Sequence, residues 1–241
     1  MKSILILVKK ELKDYFISPI AYIVIITFLL AVSIWFVFIK GLFVSNQADM
    51  RDIFIFITQI FIIVIPALTM RSWAEERKSQ TLEILTTLPI SSIELIISKF
   101  LSCLIFVILA LILTFPIPLT LNILGNPDNG IIIAGYIGLI FLSASYIIIG
   151  QFVSINTNNQ IVAFIASSVI ILILYIFGEA QFLQYFPNSI RVIFESFGIG
   201  SHFASLAKGV IDTRDILYYL SLMLIFFYFI YKSFDKIKRG K

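Results

Sequence analysis

A chain of 241 residues that is 60% hydrophobic and only 13% charged cannot hide its apolar side chains in a soluble core, because ordinary globular domains are about 45–50% apolar and about 25% charged. Its 18 basic and 14 acidic residues gather in a few clusters, and the stretches between them are long enough to cross a bilayer, so lipid is the solvent for much of the chain. The net charge of +4 comes from bases that flank those stretches, which favours membrane orientation over nucleic-acid binding, and the single Cys103 excludes an intrachain disulfide.

In residues 1–18, Ile4, Leu5, Val8, Leu12, Tyr15 and Phe16 recur at helical spacing, with Lys9, Lys10, Lys13 and Asp14 on other faces. Ser18-Pro19 closes the pattern, since the residue before proline disfavours the α region. The segment reads as a basic amphipathic helix at the cytoplasmic membrane interface. The first long apolar run comes only after it and is too long for a signal-peptide core, so no cleavable leader is expected.

A hydrocarbon core about 30 Å thick takes about 20 helical residues. Six segments meet or approach that length: Ile20–Ile39, Ile53–Met70, Phe100–Leu121, Ile131–Val153, Ile161–Phe177 and Ile216–Tyr231, the last two being short. None contains Asp, Glu, Lys, Arg or His. Their many Val, Ile and Phe residues do not alternate with polar ones, which excludes barrel strands, and in lipid each span must satisfy its own backbone. The expected fold is therefore an all-α integral membrane protein of six transmembrane helices.

Two segments between spans are distinctive. In residues 71–99, Glu75 to Thr87 are good helix formers, Leu88-Pro89 forms a turn, and Ser91 with Glu94 has capping-box spacing, so a second helix starts near Ser92. In residues 178–215, Phe182, Tyr185, Phe186, Phe194, Phe197 and Phe203 are too many aromatics for a solvated linker. Short re-entrant or interfacial helices and an ordinary packed loop are both compatible with this composition.

Basic residues set the orientation. Lys2, Lys9, Lys10, Lys13, Arg71, Arg77, Lys78, Lys99, Lys232, Lys236, Lys238, Arg239 and Lys241 fall on one side, against Lys40, Arg51, Arg191, Lys208 and Arg214 on the other. Both termini are therefore expected in the cytoplasm.

The chain contains no phosphate loop, no dinucleotide fingerprint and no Cys/His set with metal spacing. Its one histidine, His202, has no nucleophile at a recognisable spacing, so no catalytic, cofactor or metal residue is assigned. The lack of carboxylates in the spans argues against an ion-coupled carrier, in which such groups mark the ion path. A membrane anchor that recruits a cytoplasmic complex stands as the alternative to a transporter.

Several motifs resemble the ABC-2 type permeases, in particular the gliding-motility-associated branch. They are Pro66-Ala-Leu-Thr-Met-Arg-Ser-Trp-Ala-Glu-Glu-Arg with Thr81-Leu-Glu-Ile-Leu, Pro89 and Lys99-Phe100; Gly135-Tyr-Ile-Gly-Leu with Ile149-Gly-Gln-Phe-Val-Ser and Asn158-Asn-Gln; and His202-Phe with Lys208-Gly-Val-Ile-Asp and Tyr218-Tyr. Gln80 stands where that family usually has glycine. The resemblance implies one ABC-2 transmembrane domain over 1–241, in the inner membrane of a bacterium. It also implies a second permease as partner, and separate ATPase subunits that bind the ATP. On this reading residues 71–99 are the cytoplasmic coupling loop, with Glu76, Arg77, Thr81, Leu82, Glu83, Leu85 and Pro89 as the candidate coupling residues and Leu82 and Leu85 as apolar anchors for the ATPase.

Overall fold

A computed structural model describes residues 2–39, 49–87, 90–125 and 127–239. Expectations placed on Met1, Lys40, Leu88, Pro89 and Lys241 lie outside those residues. The described chain is helical throughout, with no strand among the described residues. Its helices are α1 (Lys2–Ile17), α2 (Pro19–Ile34, prolonged by a wider π turn over Trp35–Ile39), α3 (Arg51–Thr69), α4 (Arg71–Lys78), α5 (Thr81–Thr87), α6 (Ser92–Ile112), α7 (Pro116–Leu124), α8 (Asn129–Ile155), α9 (Gln160–Ile176), α10 (Ala180–Leu183), α11 (Asn188–Phe197), α12 (Ile199–Ala207) and α13 (Thr213–Lys238).

Among the described residues five stretches are long and apolar enough to cross a membrane: Pro19–Phe38, Arg51–Lys78, Ser92–Ile123, Asn129–Ile155 and Thr213–Lys238. The expected fifth span, α9, forms as a shorter apolar helix of 17 residues. The sixth expected segment is far longer than its apolar run, because α13 carries its helix past Tyr231 through Asp235 and Lys236. The third breaks into α6 and α7. Proline has no N–H to continue a helix, and Pro116 opens α7 just after Thr114, whose hydroxyl bonds the Leu111 carbonyl at 2.7 Å.

Helix α8 is the hub. It packs on α3, α13, α9, α12, α6 and α4, and every residue from Leu142 to Gln151 is buried. Small residues let backbones approach in membranes. A Cβ at Gly135 would enter the Phe54 ring and one at Gly150 would strike the Thr69 hydroxyl, so both positions hold α3 against α8. In contrast α2 leaves Tyr22, Ile23, Ile26, Leu30 and Ile34 exposed.

Helix α1 forms as expected and packs along α6. Ser3 donates to Glu94 at 2.5 Å, and Tyr15 stacks on Phe106 at 5.5 Å. Those contacts are twelve residues apart on each helix, so α1 runs beside α6 in the same direction for about 18 Å.

Candidate coupling site

One end of this bundle is built around the junction of α3 and α4. Met70 is a poor cap, having no side-chain acceptor for the first amides of α4. The last turn of α8 supplies one instead. Trp73 and Ala74 both donate their N–H to Ser154 Oγ at 3.1 Å, and Ser154 donates to the Met70 carbonyl at 3.1 Å. Arg77 Nη1 returns the favour by donating to the Ile155 carbonyl at 2.9 Å, near the C-terminal end of α8. The chain thus couples α4 to α8 across about 80 residues of sequence through four hydrogen bonds.

The helix expected over Glu75 to Thr87 is in fact two, α4 and α5, broken at Ser79 and Gln80. Gln80 has φ +59°, the one left-handed non-glycine residue among those described. That conformation costs about 1–2 kcal/mol for a residue with a Cβ, a cost that glycine, the residue the resemblance leads one to expect there, would avoid. Local hydrogen bonds support the turn: Ser79 Oγ donates to the Glu75 carbonyl at 2.9 Å and Thr81 Oγ1 to that of Glu76 at 3.2 Å.

The turn directs the two leucines of α5 inward. Leu82 is 2% exposed within the hydrophobic core, and Leu85 packs against that core. The expectation that Leu82 offers an apolar anchor to a partner is therefore corrected. Three positions apart, the two leucines share one helix face, and the chain covers Leu82 and packs against Leu85. Thr81 and Glu83 are exposed on α5, and Glu75 and Lys78 on α4.

Glu76 also points inward, onto a residue counted at first only as a flanking base. Lys99 is 2% exposed, with Nζ 2.7 Å from Glu76 Oε1 and 3.2 Å from both carboxylate oxygens of Glu11. The ammonium also lies 5.1 Å from the centroid of the Trp73 ring, a favourable cation–π position. Trp73 in turn touches Phe234 of α13 at 5.6 Å. One cation thus ties α1, α4 and α6 together. Burying an ammonium is tolerable only when it is paired and hydrogen-bonded, and here two carboxylates do the pairing. Glu76 Oε2 is buried without a hydrogen-bond partner, and two carboxyl groups face one ammonium. The sequence singles out neither Glu11 nor a buried role for Lys99, which it offers only as a flanking base and as part of the Lys99-Phe100 motif. A usable signal existed: the capping box, present as expected at Ser91 and Glu94, sets the start of α6 and places Lys99 on the face of the buried Leu95, Ile96, Ser102 and Cys103. A lysine on such a face demands an acid from elsewhere. A cleft of about 510 Å³ opens beside the triad, lined by Glu11, Asp14, Tyr15, Arg71 and Glu76 among others.

A second polar cluster lies in the 178–215 segment, which forms α10, α11 and α12. His202 Nδ1 is 2.7 Å from Asp215 Oδ1, the ring stacks on Tyr218 at 3.9 Å, and Ser205 donates to the other oxygen of Asp215. The serine bonds the acid and not the imidazole, so this is not the nucleophile–base–acid order of a hydrolase. It closes α12 onto α13, as does the bond from Tyr219 to the Ile199 carbonyl at 3.2 Å. Among the described residues no group of His, Cys, Asp and Glu could hold a metal ion.

The family model described as ABC-2 family transporter protein matches residues 2–231. The chain belongs to the ABC-2 transporter family. No curated protein matches it. ABC-2 membrane proteins are multi-pass and lack a nucleotide-binding domain, so membership implies ATPase partners. Two motifs far apart in this ABC-2 chain meet in space, the stretch Pro66–Arg77 reaching Gly150 and Ser154, whereas His202 meets Asp215 and Tyr218 on the next helix.

Proposed function

We propose that the chain is the permease subunit of an ATP-driven exporter in the inner membrane of a bacterium. It forms the translocation path with a second permease, takes its energy from separate ATPase subunits, and constitutes one transmembrane domain. Helix α9 completes six spans, both termini face the cytoplasm, and α1 lies at the cytoplasmic interface. The observation that carries the reading is the placement of α4 and α5 between two spans, α3 and α6, with Lys99 binding that segment to α1 as well. Closure of the ATPases around ATP displaces α5. The Lys99 triad hands the displacement to α1 and α6, and Arg77 and the Ser154 bonds hand it to α8.

Within the proposed coupling set, Glu76, Arg77, Leu82 and Leu85 transmit from inside the fold, whereas Thr81 and Glu83, with Glu75 and Lys78, form the outward docking face; Pro89 lies outside the described residues. The absence of ionisable residues from the six apolar stretches favours an amphiphile, a lipid-linked molecule or a polypeptide as cargo over a small ion. The motif set supports placement in the gliding-motility-associated branch.

Two measurements test this. Gentle solubilisation should copurify an ATPase, and hydrolysis should vanish when it is removed; ATP hydrolysis by the chain alone would overturn the proposal. Single cysteines introduced in a Cys103→Ala background should react with a membrane-impermeant thiol reagent in intact cells at positions 128 and 189, and not at 79 or 238. Labelling at 79 would invert the orientation and remove the docking face from the ATPase.

A further inference from the structure

Helix α1 has two opposed faces. Ile4, Val8, Glu11, Leu12 and Tyr15 turn toward the protein, and Glu11 reaches the Lys99 triad. Ile6, Lys9, Lys10, Lys13, Phe16 and Ile17 are all exposed, and their spacing of three and four residues makes them one outward strip. The strip is ordered along the helix. Its Phe16–Ile17 end adjoins Ser18-Pro19, beyond which the exposed surface continues onto the apolar Tyr22, Ile23 and Ile26 of α2. One turn back from Ile17 lies Lys13, about 6 Å along the axis, followed by Lys10 and Lys9. An apolar surface that becomes basic within one turn of the span matches the passage from acyl chains to head groups, where amphipathic helices bury their apolar side about 5–10 Å deep. The exposed Leu5 and Ile6 keep the first turns on that surface too.

We infer that the outward strip of α1 is a docking surface for anionic phospholipid of the cytoplasmic leaflet, with Lys9, Lys10 and Lys13 taking the head-group phosphates. Lysines near an anionic leaflet each gain attraction that falls off within a Debye length. An acidic protein groove could meet the same charges. The lipid is favoured because the strip is continuous with the exposed apolar surface of α2 and carries Phe16 and Ile17 at the end nearest the span. The consequence builds on the proposed permease role: lipid held on the outer face of α1 fixes the helix whose inner face supplies Glu11 to Lys99.

The lipid measurement needs no ATPase, so its failure is separable from failure of the permease reading. The full-length chain is purified in mild detergent, offered equal amounts of phosphatidylglycerol and phosphatidylcholine, and the retained lipid is measured by native mass spectrometry. The expected result is preferential retention of phosphatidylglycerol, lost in Lys9→Gln/Lys10→Gln/Lys13→Gln and kept in Lys232→Gln/Lys236→Gln/Lys238→Gln. For the unaltered chain, raising sodium chloride from about 0.05 to about 0.5 M should erase the preference, a readout that stands even if the triple variant misfolds. No preference in the unaltered chain, a preference indifferent to salt, or one that survives the α1 substitutions overturns the inference. So does a triple variant that keeps its lipid preference but loses a copurifying ATPase, which would assign the strip to a protein partner.

Discussion

The two polar clusters of this molecule differ in what they connect. At the Lys99 triad the partners are 88 and 23 residues apart in sequence and come from three helices that enclose one ammonium. At His202 the partners are 13 and 10 residues apart and join consecutive helices. The first is buried and ionic, and breaking it frees three elements at once. The second is partly exposed, shares its work with aromatic stacking, and closes a local loop. A cluster whose members are distant in sequence can transmit displacement between segments, whereas one between neighbours mainly keeps a segment shut. On that contrast the proposed coupling role belongs to the Lys99 side.

The largest effect that would sharpen the contrast is Lys99→Met. It leaves Glu11 and Glu76 buried against each other without a cation, and stranding buried charges in this way costs about 3–5 kcal/mol. Thermal unfolding in detergent should show the loss, and Glu11→Gln with Glu76→Gln added should restore most of it, since a neutral cluster has no charge to strand. A loss below about 1 kcal/mol would mean the triad is not a buried ionic lock. Asp215→Asn should have a smaller effect, about 1–2 kcal/mol, because it weakens two hydrogen bonds to a charged acceptor while the Tyr218 stack persists. Hydrogen exchange should rise in α12 and the start of α13 alone, and ATPase copurification should not change. If Asp215→Asn uncoupled the proposed ATPase, the contrast would collapse. Gln80→Gly should have the smallest effect and the opposite sign, a gain of up to about 1 kcal/mol by removing the Cβ from a left-handed residue. A loss on melting would show that the glutamine side chain makes a compensating interaction.

Much of this was legible in the sequence because the bilayer imposes long apolar runs and proline and capping residues punctuate them. Ser18-Pro19 ended α1 and Ser91 with Glu94 opened α6 where the pattern placed them. The break at Gln80 was not legible, since a glutamine carries no mark of a left-handed conformation; only the glycine expected there hinted at it. The inward turn of Leu82 depended on that break. Lys99 was read as a flanking base because the apolar run begins at Phe100, although the capping box had already set the start of α6 two turns earlier and the face that Lys99 occupies is buried. Glu11 stood unnoticed among lysines, since its meaning comes from a residue 88 positions away. The Ser154 cap of α4 was hidden for the same reason.

The most direct test of the coupling account compares the assembled ATPase complex of the unaltered chain with that of Glu11→Gln/Glu76→Gln/Lys99→Met, a variant folded but without the ionic lock. ATP hydrolysis is measured at equal ATPase stoichiometry. The account predicts that the variant still binds the ATPase through the exposed face of α4 and α5, while hydrolysis drops to the rate of the free ATPase. Equal rates in the two complexes would contradict it.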